Sequence, residues 1–89
     1  MDARRNKLKY RAWHRGFVEA DLILGPFADT NLPAMAPDEL DAFERLLETP
    51  DHDLYAWIVG PDAAAAEADA AVLQKIRDFR FAAHQAFGS

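Results

Sequence analysis

Arg15-Gly16-Phe17-Val18-Glu19, with Asp21 just beyond, is the grouping in this 89-residue chain whose residue types and order could recognise a partner. An arginine fork donates several directional hydrogen bonds to a carboxylate or a carbonyl, and a nearby glutamate accepts in return. The glycine between them has no side chain and lets another backbone come close. Arg15, Gly16 and Glu19 are therefore the candidate partner-binding residues, with Asp21 in support and Arg11, His14 and Trp57 as further candidate contacts. The same residues also suit plain capping. Arg15 fits the negative end of one helix, Gly16 a left-handed stop and Glu19 the first turn of the next, each charge being worth about 0.3–1 kcal/mol. The order favours recognition, because a basic residue four before an acidic one is the poorer arrangement within a helix.

Other chemistry is thin. His14, His52 and His84 are far apart, and none pairs with a second histidine at the spacing of metal ligands, so no metal site is expected. Hydroxyl nucleophiles are limited to Thr30, Thr49 and Ser89, with no strained serine elbow or phosphate-cradling glycine loop around them. Asp38, Glu39, Asp41, Glu44 and Glu48 read as the wet face of a helix rather than an acid/base pair. No catalytic residue is assigned, and the chain is not expected to be an enzyme. Trp13, Tyr55 and Trp57 could stack on a nucleotide or flavin, but at helical spacing in a small protein such rings more often build core. Trp57 sits about 100° round the helix from Ile58, which leaves it near the surface.

Size and composition bound the rest. A chain of this length makes one small domain, residues 1–89, that buries roughly 60–65% of the surface of its unfolded form and has no room for a deep cavity. With 51% apolar and 28% charged residues it reads as soluble and globular, and no apolar run approaches the length of a membrane span. Cysteine is absent, which excludes disulfides and thiolate chemistry and fits a cytoplasmic home. The net charge of −5 divides into +5 over residues 1–15 and −10 over residues 16–89. An acidic body repels phosphate backbones, so nucleic acid is not an expected partner.

The elements that must carry these residues are helical almost throughout. The first is expected from Ala3 to Arg15, with Arg4, Lys7, Arg11 and Arg15 as a basic stripe and Leu8, Ala12 and Trp13 as its apolar side. The second starts near Phe17, turns Phe17, Ala20, Ile23, Leu24 and Phe27 to the core, and is kinked or ended by Gly25-Pro26. Phe17 and Val18 are both expected in helix and core. A loop follows from Asp29 to Ala36. The third starts at Pro37, behind Ala36 where a polar cap would be usual, and buries Leu40, Phe43, Leu46 and Leu47 before Thr49-Pro50 stops it. Asp51 is expected to cap a short fourth helix that buries Leu54, Tyr55 and Ile58 and ends at Gly60-Pro61. A long last helix runs from Asp62 or Ala63 to about Ala86, with Val72, Ile76, Phe79, Ala83 and Phe87 on one face. The fold class is all-α, a compact bundle of five short helices closed by a long carboxy-terminal one.

Arg15-Gly16-x-x-Glu19-x-Asp21 followed by Leu22-Ile23-Leu24 resembles the signature of the succinate dehydrogenase assembly factors, small five-helix proteins that promote covalent attachment of FAD to a flavoprotein subunit. Arg45-Leu46-Leu47-Glu48 and Asp53-Leu54-Tyr55-x-Trp57, in register downstream, carry the resemblance from about Arg4 to Phe79. It implies a chaperone-like assembly factor that holds no flavin stably itself and acts on FAD carried by its partner. That partner would be the flavoprotein subunit of succinate dehydrogenase or fumarate reductase. It also implies that Arg15, Gly16 and Glu19 form the contact patch, on a protein that is a monomer when free and does not enter the membrane. A regulatory or antitoxin-like binding module and a small flavin-binding protein are the alternatives.

Overall fold

The computed structural model describes residues 2–60 and 67–87, with the side chains of residues 67–68 and 84–87 outside the description. It holds α1 (Ala3–Trp13), α2 (Val18–Asn31), a single 3-10 turn (Leu32–Ala34), α3 (Pro37–Leu47), α4 (Asp51–Val59) and α5 (Glu67–Phe87). There is no strand among the described residues. No described helix is long and apolar enough to cross a membrane.

Asp2 caps α1 by accepting the Arg5 amide at 2.8 Å, and Leu8 and Ala12 bury the inner side of the helix. At its far end Trp13 lies over Gly25 of α2, so closely that a β-carbon there would come within 2.3 Å of the indole ring. The sequence leads one to expect either a kink or an end at Gly25-Pro26. Gly25-Pro26 does not end the second helix, which continues to Asn31 with Pro26 inside it. A proline within a helix costs about 3 kcal/mol. Beyond it, however, Phe27, Ala28 and Leu32 are all fully buried, and each large side chain contributes about 1.5–3 kcal/mol on burial. Tertiary packing outweighs the local break, and the expected loop from Asp29 to Ala36 shrinks to the 3-10 turn and its exit. Arg5 clasps this exit from α1, its guanidinium donating to the carbonyls of Leu32 at 2.8 Å and Met35 at 2.6 Å.

In α3, Pro37 takes the first position, and Glu39 turns back to accept the Ala36 amide at 3.0 Å, supplying the cap that Ala36 lacks. Its stripe of Leu40, Phe43, Leu46 and Leu47 is buried as expected. In α4 the cap position falls to Pro50 with no side-chain hydrogen bond, so Asp51 is the first helical residue and not the cap. Leu54 and Ile58 are buried there, and Tyr55 is half-buried against them.

Among the described residues α5 buries Val72, Leu73 and Ile76 and rests Phe79 on the core. The expected start at Asp62 or Ala63 and the side chain of Phe87 lie outside the described residues. Polar ties hold α5 in register: buried Asp69 takes the Arg45 guanidinium of α3 at 2.6 Å, and Arg77 donates to the Gly60 carbonyl after α4 at 3.0 Å. Phe27 joins the layers, its ring 5.7 Å from that of Phe43 and edge-on to Phe79 at 5.8 Å.

Candidate functional site

The expected recognition residues sit on the corner where α1 hands over to α2. His14 closes α1, its amide donating to the Arg11 carbonyl at 3.3 Å. Gly16 follows with φ at +88°, the left-handed turn that glycine makes without strain, and nothing lies within 4 Å of where its β-carbon would be. The turn is fixed from the other side by Asp21, whose carboxylate accepts the Arg15 amide at 3.1 Å. Asp21 thereby supports the corner instead of facing away from it.

Arg15 was expected at the partner-facing surface, yet its side chain is only 9% exposed and its guanidinium is taken within the chain. Nε and Nη2 meet the Asp51 carboxylate at 2.8 and 2.7 Å, while Nη1 and Nη2 donate to the main-chain carbonyls of Leu47 and Thr49. The last carbonyls of a helix have no partner of their own. Arg15 supplies one for α3 and in the same stroke neutralises the first turn of α4. This is why Asp51 is not free to cap: its carboxylate is committed to the arginine.

Phe17 precedes α2 as its cap residue and is half-buried, its ring edge-on to Tyr55 at 5.3 Å and to His52 at 5.4 Å. Val18 is not core. It is 64% exposed, as is Leu22 one turn on, and residues four apart share a helix face. Glu19 is exposed and has no hydrogen-bond or ion-pair partner among the described residues. The outward part of the corner is thus Gly16, Glu19 and an apolar pair, Val18 and Leu22, that sequence reasoning missed. Their signal was position on the helix, where the pair falls between Glu19 and Asp21 and opposite Ala20, Leu24 and Phe27.

The three further candidates divide. His14 is exposed, stacked on Tyr10 with ring centroids 4.1 Å apart, and its Nδ1 donates to the Tyr10 carbonyl at 2.8 Å. Arg11 is half-buried beside it, in an open depression of about 290 Å³ that reaches Arg15, Leu47 and Asp51. Trp57 is half-buried against the core on α4. Trp13, the other candidate stacking ring, covers Gly25 and donates from Nε1 to Asp29 at 3.1 Å.

The basic stripe divides, with Arg4 and Arg15 paired inside the chain, Lys7 exposed, and Arg11 half-buried without a side-chain acceptor among the described residues. Arg4 pairs with Asp41 and Glu44 of α3, and Lys9 with Asp29 of α2 at 3.3 Å. The charge division along the sequence is therefore complementary within the fold.

The chain is 45% identical over 60 residues to the FAD assembly factor SdhE of Acetobacter pasteurianus, an alignment covering 67% of this chain and 55% of that protein. It is 40% identical over 57 residues to the mitochondrial succinate dehydrogenase assembly factor 2 of Debaryomyces hansenii, covering 64% and 40%. With the protein of that name from Dictyostelium discoideum it shares 34% identity over 73 residues, covering 82% and 52%. The chain spans between two fifths and just over half the length of these relatives. No solved structure matches it. The family model described as the flavinator of succinate dehydrogenase matches residues 6–80, all of the corner and its clasp included, and the chain belongs to that family.

Proposed function

We propose that this protein binds the flavoprotein subunit of succinate dehydrogenase and promotes covalent attachment of FAD to it, without catalysing the bond itself. The observation that carries the reading is the corner, where an unpaired, exposed Glu19 stands beside a glycine turn open to close approach and an uncovered aliphatic pair. Interfaces draw their energy from apolar contacts at the centre and their direction from a few polar groups. Here Val18 and Leu22 supply the first and Glu19 the second. Arg15 serves the same surface indirectly, by locking the corner onto the α3–α4 junction so that the patch is presented in one shape.

Assistance of this kind is a shift of population. The factor must bind one arrangement of the flavoprotein more tightly than the others, since equal affinity would move nothing. In that arrangement the flavoprotein's own histidine and its own FAD react; the factor holds no flavin stably. The client includes fumarate reductase where that enzyme is present, and the free factor is a cytoplasmic monomer acting as one helical unit. The deciding experiment compares covalent flavin in the purified flavoprotein matured with and without this chain. A rise in its presence is expected, and no difference would remove the proposal.

A further inference from the structure

We propose that the depression between Tyr10, Arg11 and His14 receives an acidic side chain of the protein partner, with the Arg11 guanidinium as the fork that holds it. The proposal rests on the docking reading above and extends it to a second, charged contact. Among the cations of residues 1–15, Arg4, Arg5, Lys9 and Arg15 are engaged with carboxylates or carbonyls of the same chain, and Lys7 is exposed outside the depression. Arg11 lies among them, half-buried, and has no side-chain acceptor among the described residues. A guanidinium whose donors are unused within the chain can take a planar carboxylate.

The surroundings favour that ligand. The depression has a volume of about 290 Å³, room for a carboxylate arm and several waters at about 30 Å³ each. Asp51, on its far wall, is already neutralised by Arg15, so the uncompensated charge there is that of Arg11. The stacked rings of Tyr10 and His14 form a flat wall beside it, with the His14 Nδ1–H spent on the Tyr10 carbonyl. One free guanidinium matches one carboxylate, whereas a phosphate is usually met by several donors together. His14 and Arg15 run directly into Gly16, so the depression and the corner form one continuous surface.

The test measures calorimetric affinity for the succinate dehydrogenase flavoprotein with wild type, Arg11→Gln, Arg11→Glu, Arg80→Glu and Glu19→Ala, at about 50 and about 300 mM salt. Melting curves first establish which variants fold as wild type does, and Arg11→Gln serves if the reversal does not. Arg11→Glu should bind about tenfold or more weakly, Arg11→Gln should bind more weakly with a flatter salt dependence, and Arg80→Glu, exposed on α5 and outside the depression, should stay near wild type. If Glu19→Ala loses affinity while both Arg11 variants keep it, the proposal is overturned and the docking reading stands. If the wild type forms no complex, both fall. A parallel titration with free FAD distinguishes the cofactor's phosphates: FAD binding that weakens in Arg11→Gln would overturn the acidic side chain as the ligand.

Discussion

Arg15 and Asp51 meet across thirty-six positions of sequence, and their contact fastens the end of the first helix to the start of the fourth. Two further donations from the same guanidinium, to the Leu47 and Thr49 carbonyls, make it the keystone of the α3–α4 junction. An arginine this far out of solvent cannot be removed quietly, because the groups left behind are a carboxylate and two carbonyls that lose their donor.

Arg15→Ala should therefore cost about 2–3 kcal/mol in urea unfolding, which for a domain of this size lowers the melting midpoint by roughly 8–24 °C. Arg15→Lys should recover only part of the loss, since one ammonium cannot reach three acceptors with the geometry of a fork. An unchanged midpoint with lost flavoprotein binding would instead make Arg15 a direct contact.

Glu19→Ala and Leu22→Gln should behave in the opposite way. Neither side chain is buried, so each should shift stability by less than about 1 kcal/mol. Binding to the flavoprotein and the yield of covalent flavin should both fall. Wild-type yield in either variant would exclude that side chain from the surface.

Two glycines make a paired prediction. Gly16→Ala meets no neighbour but must hold a positive φ, costing about 1–2 kcal/mol. Gly25→Ala has ordinary backbone geometry and instead collides with the Trp13 ring, so its cost of about 1–3 kcal/mol should arise from overpacking. Trp13→Leu should relieve the second variant and leave the first untouched, a double-mutant cycle read by chemical denaturation.

Acid should loosen the α3–α5 contact. The Lys75 ammonium and the Ala36 amide hold the Glu39 carboxyl below its ordinary value of 4.5. A carboxyl whose value is depressed by folding contributes stability that is present above its unfolded value and is lost as pH falls through the folded one. Stability should thus decline below about pH 4.5, and Glu39→Gln should flatten that limb when melting is followed against pH. Asp2, held down by the Arg5 amide and guanidinium, adds to the same limb from an ordinary value of 3.8.

How much of this could be read in advance depended on the range of the interaction. The stripes of α1 and α3 are periodic and fold as their spacing predicts, and the glycine turn follows from a single residue type. The end of α2 was misread because a local rule about proline met a non-local fact, the Trp13 ring against Gly25 and the burial of Phe27 beyond it. Val18 was misplaced because its residue type was given more weight than its position: with Leu22 it lies between Glu19 and Asp21, on the side of the helix opposite Ala20, Leu24 and Phe27. Arg15 was taken for a surface group because two of its acceptors are main-chain carbonyls, which any residue carries and no sequence pattern displays. The corner itself was legible, but the division of labour within it was not.

The inward pairing of α1 has one more consequence. Arg4, Lys9 and Arg15 find their carboxylates on α3, α2 and α4 in turn, so the first helix is held by the remainder much as a basic peptide is held by an acidic receptor to which it happens to be tethered. Docking of α1 is then an intramolecular binding event whose strength is set by effective concentration as well as by contact. Gly16 is the short tether, and the surface offered to a partner comes into being only when that event is complete.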